Sequence, residues 1–320
     1  LWRPDNYSER FFGPTPLRKA LALSINLVSV RLLRAITPDY AADYLERFGF
    51  DHDRLPRNLS LALGTATATP LQMATAFAVF ANGGYKVQPY FISRVEDAQG
   101  NILEQADPLV ACETCQDAQG STPPLRVAAA HPVAPLQSQP RLAPRVISKA
   151  NAFILSSMMQ DVITRGTGRR ALELGRTDLS GKTGTTNDFR DAWFSGFNQD
   201  IVASAWVGFD QPASLGPAES GARAALPIWV DFMRTALKGV PERPRPAPDD
   251  VVAESVDRDT GQPIDPTDPS AMVEYFIAGT EPQPAAPLAE GAKSSGTSET
   301  PDVPPPAPAP ATGELPKGLF

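Results

Sequence analysis

Apolar positions follow two different periods along the chain, and the change of period divides it. In the first part they recur three and four residues apart, and three segments open on a Thr-Pro pair, at Thr15-Pro16, Thr37-Pro38 and Thr69-Pro70. Threonine accepts a hydrogen bond from a free first-turn N–H, and proline suits the first helical position because an N–H there has no intrahelical partner. Three helices are therefore predicted, two of them stopping at Gly49 and Gly83, where glycine tolerates a left-handed cap. A fourth is predicted from a Ser148 cap through Ile154, Leu155, Met158, Met159 and Val162 to Gly166. Beyond residue 180 the pattern turns to period two, over 192–197 and 201–209, joined by Asn198-Gln199-Asp200, which predicts an antiparallel hairpin. Helical spacing returns over 227–237, where Ile228, Trp229, Phe232 and Met233 are expected to cover one sheet face. The sum is an α+β chain: an antiparallel sheet packed with helices beside a mainly helical lobe.

Composition then sets the limits of the ordered part. Of 34 prolines, 17 lie from Pro241 onward, and 281–320 combine Pro, Ala, Ser, Thr and Gly with few apolar anchors, so that end is expected to be a disordered tail. The main domain is expected over 1–240, with 106–144 as an irregular surface-loop insertion, followed by a small β-rich extension over 241–280. A net charge of -7 without a basic stripe argues against a nucleic-acid partner. No stretch approaches the roughly 20 apolar residues of a membrane span, and no apolar N-terminal signal is present. Cys112 and Cys115 cannot complete a four-ligand zinc site, and neither His52 nor His131 has ligand spacing, so no metal or other cofactor is expected. A small loop disulfide, if the protein is exported, and a pair of inert thiols both remain open.

The chemistry concentrates in two short runs. Ser180-Gly181-Lys182-Thr183-Gly184-Thr185-Thr186 precedes the hairpin and places an ammonium and hydroxyls on an expected edge strand, with a glycine that lets a ligand backbone approach. Such an edge suits a peptide ending in a free carboxylate. Upstream, Ser24-Ile25-Asn26 interrupts an apolar helical stretch. Its hydroxyl and carboxamide either face one ligand together or bond local backbone as caps. Asp188 and Asp191 flank a turn beside the lysine strand and fit a solvated turn better than paired-carboxylate catalysis.

These residues, with Thr69-Pro70-Leu71-Gln72-Met73-Ala74 and the run from Asp161 to Gly168, resemble the transpeptidase domain of class A penicillin-binding proteins over roughly residues 1–275. The resemblance implies a serine β-lactamase/transpeptidase-like fold and a cleft with Ser24 and Asn26 on one wall and Lys182 on the other. It implies acyl transfer from the D-Ala-D-Ala end of peptidoglycan stem peptides, and β-lactam binding. In it, Ser24 passes a proton between Lys182 and the leaving amine, Asn26 holds the stem-peptide amide, and Thr183 and Thr185 bind the terminal carboxylate. The Thr185 N–H serves an oxyanion hole, and Gly184 permits close approach. One departure stands out: no serine here has a lysine three positions later, so the family's Ser-x-x-Lys nucleophile is absent from the chain. The expectation is a C-terminal piece of a longer, exported polypeptide, anchored in the inner membrane by its missing part and facing the periplasm. That parent is expected to carry a glycosyltransferase domain too, with a lipoprotein activator left open. The alternatives are a D,D-carboxypeptidase or β-lactamase-type serine hydrolase on the same fold, and a non-catalytic peptidoglycan-binding module.

Overall fold

The computed structural model describes residues 2–112 and 140–283. Its contacts divide the chain at Asp249 and Asp250 into two units. In the first, the period-two region forms a three-stranded antiparallel sheet, β3 (Ser180–Thr185), β4 (Asp191–Phe197) and β5 (Val202–Gly208), in that spatial order. The Asn198 side chain closes the hairpin by accepting from the N–H groups of Asp200 and Ile201, at 3.0 and 2.8 Å. Alternation sorts the two faces. Thr183 pairs with Phe194, which pairs with Ala205, on one face; Lys182, Ser195 and Ser204 line up on the other.

Helix α6 (Leu226–Ala236) covers the Phe194 face. Trp229 packs edge-on against Phe194, with 4.9 Å between ring centroids, and its indole N–H donates to the Ala203 carbonyl. The residues that cover the sheet are Leu226, Trp229, Val230 and Met233; Ile228 and Phe232, expected in that role, are both exposed. The correction is one of phase, since the helix starts at Leu226 and its apolar stripe lies on that residue's side. The other sheet face meets α4 (Pro70–Ala81) and α5 (Lys149–Thr164) through Phe77, Phe80, Ala81, Met159, Phe197 and Val202. Helix α5 starts at its Ser148 cap as expected, but Leu155 faces outward and Phe153 and Ile163 inward.

Two of the three Thr-Pro starts are caps. Thr69 forms a full capping box with Gln72 on α4, and Thr37 accepts from the Tyr40 N–H at the head of α3 (Pro38–Leu45). Thr15 is not a cap: Pro16 itself holds the extended conformation before α1 (Leu17–Leu23), and the Thr15 hydroxyl turns back to Gly13. The apolar stretch around Ser24 is two helices, α1 and α2 (Asn26–Ile36), broken at that serine. A small hairpin of β1 (Arg94–Glu96) and β2 (Ile102–Gln105) lies in a region for which no element was expected. Cys112 is disulfide-bonded. Cys115, His131, most of the 106–144 insertion and most of the tail lie outside the described residues. The second unit contains the antiparallel pair β6 (Val251–Asp257) and β7 (Ala271–Ile277).

Helix α1 is locked onto α5 in two ways. Arg18, only 5% exposed, donates to Asp161 at 3.1 Å and to Ser157 at 3.0 Å. At the far end of α5, Gly166 lies against the backbone of α1, where an added Cβ would stand 2.2 Å from the Ala22 carbonyl oxygen. Neither that carbonyl nor the Val162 backbone on the other side can yield as a flexible side chain would. Gly166→Ala is therefore expected to destabilise the protein by about 1–3 kcal/mol in urea unfolding, and a change under about 0.5 kcal/mol would contradict this packing.

Candidate active site

The end of α1 and the strand β3 meet through two side chains. Lys182 lies on the sheet face opposite Phe194, and its Nζ donates to Ser24 Oγ at 2.7 Å and to the Thr183 carbonyl at 3.0 Å. Among the described residues no carboxylate pairs with this ammonium. Burial therefore acts unopposed and lowers its pKa from 10.5 to about 8. At neutral pH the group is still mainly protonated: a partly buried cation, whose attraction for an anion is strengthened by its surroundings.

Ser24 reaches the lysine because of how α1 ends. It adopts the left-handed conformation (φ 55°, ψ 50°), its N–H donates to Leu21, and the Ile25 N–H reaches back to Ala20, a Schellman closure in which glycine is the usual occupant. A serine in this position is strained by about 1–2 kcal/mol, and the hydroxyl it brings is the one bonded to Lys182. Ile25 is buried and cannot cap α2. The acceptor that the helix needs comes instead from Asn6, whose Oδ1 takes the Leu27 N–H at 3.0 Å.

Asn26 makes a different contact from Ser24. It opens α2, two residues beyond Ser24, but its carboxamide donates to the Asp5 carbonyl at 2.9 Å. Among the described residues it has no hydrogen bond to Ser24 or to the Lys182 strand. Thr183 and Thr185 lie on the other face of β3 from Lys182, as period two requires. Thr185 Oγ1 accepts from the Gly221 N–H at 3.0 Å, which leaves its hydrogen for another acceptor. Thr183 Oγ1 stands 2.6 Å from Thr167 Oγ1. At Gly184 an added Cβ would stand 3.0 Å from Trp193 Cβ across the strand pair, and Gly221 packs over the Gly184 backbone, so this glycine also serves the sheet's own packing.

Thr167, Gly221, Tyr7 and Phe189 were not singled out from sequence. The bracketing of Thr167 by Gly166 and Gly168 was the available signal, since paired glycines mark close backbone approach. Tyr7 meets Phe189 edge-on at 6.5 Å, and Asp188 and Phe189 are consecutive left-handed non-glycine residues in the turn after β3. The Asp191 carboxylate accepts from the Trp206 indole, while Asp188 is exposed beside Arg190, so each acid has its own partner in the turn. Among the described residues no cluster of His, Cys, Asp and Glu side chains is placed to hold a metal ion.

The family model for the penicillin-binding protein transpeptidase domain matches residues 2–226, which include Ser24, Asn26 and the whole of β3. The chain belongs to that family. It is 47% identical over 296 residues to penicillin-binding protein 1A of Pseudomonas aeruginosa, covering 86% of this chain and 36% of that protein. The crystal structure of penicillin-binding protein 1A from Haemophilus influenzae superposes with a TM-score of 0.77 at 38% identity, over 88% of this chain and 42% of that one. The PonA1 protein of Mycobacterium tuberculosis, solved in complex with penicillin V, shares the fold with a TM-score of 0.57 at 24% identity, over 76% of this chain and 61% of that one. The chain thus spans about a third of the curated relative's length. The transpeptidase-type fold anticipated from the motifs is the one observed.

The buried ammonium has a thermodynamic signature. Between about pH 8 and 10.5 the folded protein has released the Lys182 proton while the unfolded chain still holds it, so stability rises with pH across that window, and the penalty is present in full below it. Lys182→Met should remove this rise and stabilise the protein at pH 7 by about 1–3 kcal/mol. Urea unfolding of both proteins from pH 7 to 10.5 measures it, and parallel pH profiles would show that Lys182 is not buried as a cation.

Proposed function

We propose that this chain supplies the substrate-recognition wall of a D,D-transpeptidase that cross-links peptidoglycan stem peptides through a serine acyl-enzyme, and that binds β-lactams as mimics of the D-Ala-D-Ala end. The observation that carries the reading is the 2.7 Å contact between Lys182 Nζ and Ser24 Oγ, made without a carboxylate among the described residues and within a family-matched domain. The reactive serine of a Ser-x-x-Lys motif is not in these residues. We place this segment in a longer cell-wall synthase that provides that serine together with a glycosyltransferase domain and an inner-membrane anchor, and that works on the periplasmic face. Among the described residues no helix is long and apolar enough to cross a membrane.

In the acylation step the lysine of the Ser-x-x-Lys segment takes the serine's proton, the serine oxygen attacks the carbonyl of the penultimate D-alanine, and the peptide C–N bond breaks. The departing D-alanine amine takes a proton from the Ser24 hydroxyl, which regains one from the Lys182 ammonium. An amine of a second stem peptide then attacks the ester and the serine C–O bond breaks; the amine gives its proton through Ser24 back to Lys182, and the serine oxygen recovers its proton from the Ser-x-x-Lys lysine. Lys182 attracts the terminal carboxylate, and the hydroxyls of Thr183 and Thr185 donate to it, each charge-assisted bond contributing roughly 1.5–3 kcal/mol. The Thr185 N–H lies at the end of β3, where it can serve as one oxyanion donor. Asn26 holds the stem-peptide amide through the N–H and oxygen that its bond to the Asp5 carbonyl leaves available.

The test is covalent labelling by a fluorescent penicillin of a polypeptide that joins these residues to a Ser-x-x-Lys segment. Lys182→Ala should slow labelling by about 100-fold or more, and Ser24→Ala by about tenfold or more. The 320 residues alone should not label. Labelling of the Lys182 variant at the unaltered rate would rule out this account of the site. A second expectation follows from the strained cap: Ser24→Gly should raise thermal stability while slowing labelling as Ser24→Ala does.

A further inference from the structure

Thr167 touches both walls of the proposed site. Its N–H donates to the Ala22 carbonyl at 3.1 Å, two residues before Ser24, and its hydroxyl stands 2.6 Å from that of Thr183, next to Lys182. Its neighbours make this reach attainable. Gly166 lies too close to the Ala22 carbonyl for any side chain, and at Gly168 an added Cβ would crowd the Val162 carbonyl at 3.2 Å and the Phe194 ring at 3.3 Å. The segment is thus threaded between α1, α5 and the sheet, with a threonine between the two glycines whose hydroxyl meets Thr183 on β3.

The chemistry of the pair has a direction. A hydroxyl carries one hydrogen and can accept two bonds, whereas a carboxylate only accepts. If Thr183 gives its hydrogen to Thr167, an incoming carboxylate meets oxygen lone pairs and is repelled. If Thr167 gives its hydrogen to Thr183, the Thr183 hydrogen remains for the carboxylate, and two donors in series polarise one another. We propose that Thr167 is a positioning residue that donates to Thr183 and so fixes Thr183 as a donor toward the terminal carboxylate of the stem peptide or β-lactam. This rests on the reading above, in which β3 receives that carboxylate. Thr167 itself does not touch the ligand. Its effect is specific to an anionic ligand group, which separates it from a residue that merely holds the loop.

The experiment uses the labelling polypeptide and compares second-order acylation rates for benzylpenicillin and its methyl ester, which lacks the anionic oxygen. Thr167→Val, which keeps the shape and removes the hydroxyl, should slow acylation by the acid about tenfold and by the ester less than about twofold, while Thr167→Ser stays within about threefold on both. Thr167→Ala, which places no methyl against Thr183, gives the same reading if the valine variant unfolds at a lower temperature. Equal losses on acid and ester, or no loss on either, would overturn the inference and leave the carboxylate reading intact. If the unaltered polypeptide shows no preference for the acid and Lys182→Ala changes neither rate, the carboxylate reading itself has failed, and this inference falls with it.

Discussion

A lysine ammonium held out of water against a serine hydroxyl is the constraint around which the first unit is arranged. Desolvation of Lys182 is unfavourable, and no carboxylate among the described residues offsets it, so its position must be imposed by the surrounding framework. That framework is continuous. The edge strand is fixed by its pairing with β4, and α5 is tied to it where the Ser180 hydroxyl donates to the Ser156 carbonyl at 2.9 Å. Helix α1 is fixed to α5 by the buried Arg18–Asp161 pair and by the contact of Gly166 with Ala22. Ser24 therefore arrives at Lys182 through a chain of contacts, each of which belongs to the core or to backbone.

The same region carries several locally unfavourable features. Ser24, Asp188 and Phe189 all hold left-handed backbone conformations that cost a side-chain-bearing residue roughly 1–2 kcal/mol each. They lie at the end of α1 and in the turn after β3, close in sequence to the polar groups that face the proposed ligand. A framework that over-determines these positions can sustain such strain, and in return it presents polar groups already oriented. The buried lysine is of the same kind: a group whose desolvation lowers stability and which, in the proposed function, attracts the anionic end of the ligand. Asn26 is the contrasting case. Its carboxamide gives one N–H to the Asp5 carbonyl, which anchors the side chain and leaves the second N–H and the oxygen for other partners.

Much of the architecture was legible because it follows from local rules. The hairpin around Asn198, the capping box at Thr69, the stops at Gly49 and Gly83 and the start of α5 at Ser148 all rest on interactions within a few residues. Where two readings were locally equivalent, neighbours decided. Helix α6 buries Val230 and exposes Phe232 because the partner face is set by the Phe194 side of the sheet. Thr15-Pro16 looks like its two counterparts, yet its threonine lies one residue too far from the helix to cap it. The α1–α2 break depends on a serine in a conformation that propensity assigns to glycine, so the interruption was legible from sequence but the geometry that ends α1 was not.

The sequence by itself determined the residue types of the site, the strand that carries Lys182, Thr183, Gly184 and Thr185, and the family, because each is encoded in short runs whose meaning does not depend on distant residues. Only the tertiary structure decided that Ser24 touches Lys182 across 158 positions while Asn26 bonds to the N-terminal arm, and that Thr167 is the partner of Thr183. Such pairings are set by the packing of α1, α5 and the sheet against one another. No local pattern records them, because a hydroxyl has the same sequence signature whether it meets water, backbone or another side chain.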